Sequence, residues 1–357
     1  MKKFYILFLL VVVILIFSQF SCKSPTAPKG SSPPDTTSQN FTWQKYYFGV
    51  GGYTLLNDIA IVSDSDIWAV GSIYLNDSTG KPETAPHNVV HWDGNNWVLK
   101  RIKTNACGGV VYPPIQAIAA FSSNDILFAH IDGSISHYNG IEFTNDCSLI
   151  TQLNGSANKI WGKSSNDFYV VSGNGFIAHY QNSSWQKIES GTDMNISDIW
   201  GAINPQTGKE EILAVASYPD TSAQRNIFQI NGNSESEISS KGINWDLHSV
   251  WFKPQSHYFV AGTGIYDKHL LSDSSWSSQY YNVSNYYINC IRGNDVNDIV
   301  AVGSLGEVIH YNGMRWKSFR DETGLVNGEY LSVAIKGNEI VAVGYDGQRA
   351  VILVGKR

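Results

Sequence analysis

The sequence predicts an all-β fold, a seven-bladed β-propeller of four-stranded antiparallel blades. Three observations predict it. Asn124–Phe143, Asn166–Trp185 and Asn297–Trp316 align without gaps, each running from an Asn-Asp pair through a strand ending His-Tyr to an aromatic residue. Degenerate copies fill the rest of the chain, most of them a little over forty residues apart, the period of a four-stranded blade. Charged residues are only 16% of the 357, while aromatics reach 13% and there are 32 Gly, a composition that suits twisted sheets better than helix bundles.

The elements follow in chain order. Met1-Lys2-Lys3 precedes an apolar run, Phe4 to Phe17, that is too short for a bilayer span of roughly 20 residues. A basic start, a short apolar core and a small-residue end make residues 1–21 a secretory signal. Residues 22–40, rich in Ser, Pro and Thr, read as a solvated tether. The folded domain is expected over 41–357, beginning at Phe41.

The template repeats as aliphatic strand, Asn-Asp turn, second strand, Gly turn, third strand, Asn-Gly turn and a Trp-led outer strand. Asp66, Asp125, Asp167, Glu211, Ser256, Asp298 and Glu339 mark seven copies. The seventh stops at Arg357 without its outer strand, whereas Phe41-Thr42-Trp43-Gln44-Lys45 resembles the outer strand at Trp185. The N-terminal strand is therefore expected in the last blade, closing the ring and leaving no open junction.

Two resemblances attach to these residues. Ser21-Cys22 behind the apolar core resembles a bacterial lipoprotein signal, with Gln19 standing where Leu is usual. It implies a diacylated Cys22 as the new N-terminus, and a protein exported and lipid-anchored in the cell envelope, in the outer membrane or at the cell surface. The repeat resembles the broad kelch, YVTN and BNR-like propellers. It departs from the BNR Asp-box, since Asp93 and Gly94 are adjacent, and lacks the paired glycines of kelch. That resemblance implies architecture and little about activity.

The conspicuous residues divide into packing and candidate sites. Trp43, Trp97, Trp185, Trp276 and Trp316 open outer strands, and Trp161, Trp200 and Trp251 share one inner-strand position. Repetition assigns them to inter-blade packing. His91, His137, His179 and His310 also share one position, but neighbouring blades lie about 10 Å apart, too far for shared metal ligands. No metal or cofactor is expected. The repeated Asn-Asp pairs are expected to fix turns by bonding backbone amides. Cys107 and Cys147 flank blade two on one face and are expected to form a disulfide, leaving Cys290 a buried thiol. Asp58, Lys159, Asp198 and Arg292 interrupt the inner strands and are expected to line a central channel.

Long insertions, Leu75–His87, Thr104–Pro114 and Tyr218–Asn226, collect on the face where inner strands begin, the top. Trp245, the one Trp outside the template, and Tyr112, Tyr218, Tyr280 and Tyr286 make that face the candidate ligand surface. The function expected is a non-catalytic binding or scaffolding propeller for an envelope protein or glycan, acting as a monomer. A net charge of −6 argues against nucleic acid. The alternative is a carbohydrate-active enzyme, glycosidase or lyase, which needs two carboxylates about 5–10 Å apart. Asp77, Glu83 and Asp220 are its candidates.

Overall fold

Seven four-stranded antiparallel sheets form the blades of a computed structural model that describes residues 35–357 apart from 104–106, 109–110, 154–155, 219–223 and 280–282. Cys22 and Tyr280 lie outside the described residues. The inner strands are Leu55–Ser63, Ile115–Ser122, Ala157–Ser164, Asn195–Ile203, Leu247–Lys253, Ile288–Asp295 and Gly328–Lys336, for blades 1 to 7. Each blade adds its strands outward in sequence order, except the last. There Thr42–Phe48 pairs with Arg349–Lys356, from Thr42 opposite Lys356 to Phe48 opposite Ala350, and closes the ring.

The compact unit begins at Thr36, ahead of the expected Phe41 boundary. The reason is specific bonding along the bottom of blade 6. The Thr37 hydroxyl donates to the Asn297 carbonyl (2.6 Å), and the buried Gln39 amide donates to the His310 carbonyl (2.7 Å). Chain entry is thus fixed on the bottom face.

Aliphatic second strands form the buried layers between blades; Val300, Val302, Val341 and Val343 are fully buried. Two of the three inner-strand Trp residues, Trp161 and Trp251, pack onto glycines of the next blade. A Cβ on Gly201 would strike the Trp161 ring, and one on Gly293 the Trp251 ring. Arg292 occupies this Trp position in blade 6 and lies 5.1 Å from the Trp200 ring.

The repeated histidines share a partner. His91, His137, His179 and His310 bond Asp66, Asp125, Asp167 and Asp298 of their own second strands at 2.7–2.8 Å. Blade 5 exchanges the two, with His257 on the second strand and Asp267 on the third, 2.7 Å apart. The Asp of each Asn-Asp pair is therefore committed to histidine. In two of the three Asn-Asp turns the Asn amide is held instead by a serine two residues earlier, Ser122 for Asn124 and Ser164 for Asn166. At Asp298 burial alone would raise the carboxyl. Bonds from His310, Arg357 and Asn294 and the Arg357 charge bring it down to about 2.

On the top face Cys107 and Cys147 form the expected disulfide, and Cys290 is a buried free thiol. Near them His130 is fully buried, with Nε2 2.7 Å from the Ser136 hydroxyl. Burial pushes its imidazole down to about 4, the charge of Asp132 opposing. An unfolded histidine titrates near 6.5, so between these values the unfolded state binds more protons. Stability should be fully present above pH ~6.5 and fall by up to ~3 kcal/mol as pH drops toward 4. Urea titrations at stepped pH should show this slope in wild type and a reduced slope in His130→Gln.

Candidate functional site: the top face and its channel

Every inner strand carries a β-bulge near its start. The shifts fall at Leu56/Asp58, Ile115/Ala117, Ala157/Lys159, Ile196/Asp198, Leu247/Ser249, Ile288/Cys290 and Tyr330/Ser332. The extra residue is Asn57, Gln116, Asn158, Ser197, His248, Asn289 or Leu331, so six of the seven are polar. Bulges redirect side chains, and here they supply the lining of the channel's upper mouth.

These side chains join blades. Asn57 Nδ2 donates to the Ile115 carbonyl (2.8 Å), Asn158 Nδ2 to Ile196 (2.9 Å) and Asn289 Nδ2 to Tyr330 (2.9 Å). Carbonyls only accept, so the orientation of each amide is fixed chemically. His248 Nδ1 lies 2.8 Å from the Asn289 carbonyl and must carry the proton there.

Beneath this ring the four predicted polar residues converge as two ion pairs. Lys159 Nζ meets Asp58 Oδ1 at 2.5 Å, and Ser332 and the Ile118 amide complete the Asp58 shell. Arg292 grips Asp198 through both terminal nitrogens at 2.9 Å, with Ser249 and the Val250 amide on the same carboxylate. Burial opposes ionisation of Asp198, but the Arg292 charge and bonds hold its carboxyl below the usual range. Each pair skips a blade, linking 1 to 3 and 4 to 6 across the axis. Above them lies a polar cavity of about 230 Å³; below, a mouth of about 270 Å³ lined by Phe121, Trp161 and Trp200 among others. The ion pairs form the divide.

The outer candidates have different roles. Trp245 is 42% exposed in the connection entering blade 5. Tyr112 is half-buried with the Arg101 guanidinium 5.8 Å away, and Tyr286 lies 4.4 Å beneath Arg320. Tyr218 donates its hydroxyl to Asp193. These tyrosines are spread over separate connections rather than gathered in one pocket.

Sequence reasoning missed a broader apolar set on this face. Val50, Tyr53, Val111, Ile131, Leu305 and Val326 are exposed in top connections, with Tyr53 and Val326 each 84% exposed. Most fall on the contiguous arc of blades 6, 7, 1 and 2. A search for apolar residues inside Gly-rich connections, as in Gly49–Thr54, could have found part of it.

Two of the three candidate enzyme carboxylates are otherwise engaged. Asp77 bonds Thr79 and Lys81 within its own loop, and Glu83 pairs with Arg101. Asp220 lies outside the described residues.

No family model matches the chain, and no curated protein does. Solved structures do. "YCF48 bound to D1 peptide" matches with TM-score 0.63 and 13% identity, over 91% of this chain and 100% of that one. The WD40 β-propeller domain of Doa1 matches with TM-score 0.62 and 13% identity, over 90% and 98%. YCF48 from Cyanidioschyzon merolae matches with TM-score 0.58 and 13% identity, over 88% and 98%. At such identities the likeness lies in the fold, and the chain is a closed seven-bladed β-propeller.

Proposed function

We propose that the chain is a non-catalytic, lipid-anchored adaptor of the bacterial cell envelope that binds a protein segment on its top face. The observation carrying this reading is the apolar arc of Val50, Tyr53, Leu305 and Val326 on that face. Exposed apolar side chains beside polar groups suit a protein partner. A peptide-bound structure of the same fold gives the reading a precedent in another protein.

The enzyme alternative has less support. Asp58 and Asp198, the carboxylates at the channel mouth, are neutralised by Lys159 and Arg292. A general acid instead needs a carboxyl held protonated near neutral pH.

The test is a peptide array followed by calorimetry with the best binder. Val326→Asp and Trp245→Ala should each weaken binding by about tenfold or more, as truncated interface anchors do. Ile141→Asp, at a bottom turn where the residue is 91% exposed, should leave it unchanged. Loss in Ile141→Asp with none in Val326→Asp would place the partner on the other face.

The anchor has its own test. Two acyl chains hold a protein stably at a membrane, where one is marginal. Cys22→Ser should abolish acyl labelling and release the protein from membranes. Unchanged labelling would refute the anchor.

A further inference from the structure

Two blades, 4 and 7, lack a histidine–aspartate pair that the other five share; blade 4 has Gln229 and Glu211 in its place. In blades 1, 2, 3 and 6 a third-strand histidine bonds the aspartate that opens the second strand, and blade 5 makes the same pair in exchanged order. In blade 7 the equivalent residues are Val354 and Glu339. Val354 stands opposite Val341, as His91 stands opposite Trp68. Valine reaches less far than imidazole, and a groove of about 450 Å³ opens there between blades 7 and 1.

The groove is not simply apolar. Trp92, Trp97 and Tyr46 contribute aromatic rings, with Trp92 and Trp97 at 5.3 Å and Tyr46 and Trp97 at 6.0 Å. Gln44, Lys356 and Glu339 supply polar groups. Glu339 is buried; one oxygen takes Lys356 at 2.9 Å, and the other is buried without a partner. An unpaired buried acceptor is costly and calls for a donor.

We infer that this groove is a carbohydrate-binding site, distinct from the top face, that takes a pyranose ring of a glycan. Aromatic faces match the C–H faces of a sugar ring. The unpaired Glu339 oxygen matches a hydroxyl donor, and Gln44 and Lys356 offer further bonds to hydroxyls. A proline-rich peptide also suits an aromatic groove, but proline has no N–H for the carboxylate. The observations therefore favour the sugar.

The test uses the full chain on an oligosaccharide array carrying cellotetraose, chitotetraose and related β-linked glycans. Tryptophan-fluorescence titration follows with the best binder. Wild type should bind at least one glycan. Val354→His introduces the histidine that blades 1, 2, 3 and 6 carry there and fills the groove; it should abolish binding while keeping the wild-type melting temperature. Glu339→Gln and Trp97→Phe should each weaken binding about tenfold or more. Trp245→Ala on the top face should leave it unchanged, which separates this site from the protein-binding reading. The proposal is overturned if no glycan binds, if binding survives Val354→His in a folded protein, or if only proline-rich peptides bind in a Val354-dependent way.

Discussion

Arg292→Met should destabilise the protein by about 3–5 kcal/mol, because it leaves the Asp198 carboxylate buried without its charge partner. The Arg292 and Asp198 side chains are only 8% and 4% exposed, and three other donors hold the carboxylate in place. Asp198 cannot turn to solvent when the guanidinium is gone. Adding Asp198→Asn should recover at least half of the loss, since a neutral amide needs no counter-charge. Lys159→Met should cost less, since Lys159 is 16% exposed and Ser332 and the Ile118 amide continue to bond Asp58. Urea unfolding of the four proteins measures the order. An Arg292→Met variant within about 0.5 kcal/mol of wild type would show that the pair is dispensable.

Removal of the closing strand should have an effect of similar size. A chain starting after Phe48 loses seven register pairs with Arg349–Lys356 and the contacts of Trp43 with Phe319. It also loses the bond from Lys45 to the Gly324 carbonyl. Several partly buried aromatic side chains at about 1.5–3 kcal/mol each imply a loss on the order of 5 kcal/mol. That corresponds to a melting temperature lower by roughly 10 °C or more. A chain starting at Thr36 should melt as wild type does. Calorimetry of the two truncations checks this, and equal melting temperatures would refute closure through Thr42–Phe48.

Much of the fold was legible because a repeated sequence acts as its own alignment. Seven Asp-equivalent positions, the absent Trp strand after Arg357 and the spare one at Trp43 were enough for blade count and closure. The disulfide was legible because strand parity puts both connections on one face. The channel residues were recognisable as exceptions, but their partners were not. Lys159 and Asp58 lie 101 residues apart, and Arg292 and Asp198 lie 94 apart, with a whole blade skipped each time. No local period encodes that choice. The role of the bulge residues emerges only when seven of them meet at one axis. The groove at Val354 arises in the same way, since a missing histidine matters only once the facing blade is in place.

The two chords across the channel also bear on how a gene made of repeats keeps its length. Recombination between similar blades can delete or duplicate one, and a sheet ring alone would tolerate several sizes. Loss of blade 1, 3, 4 or 6 removes one of Asp58, Lys159, Asp198 and Arg292 and strands its mate. A blade inserted between the partners of either pair would pull their charges apart. A ring miscounted at these places would therefore carry an unmatched ion at its centre, so the two chords disfavour such rearrangements.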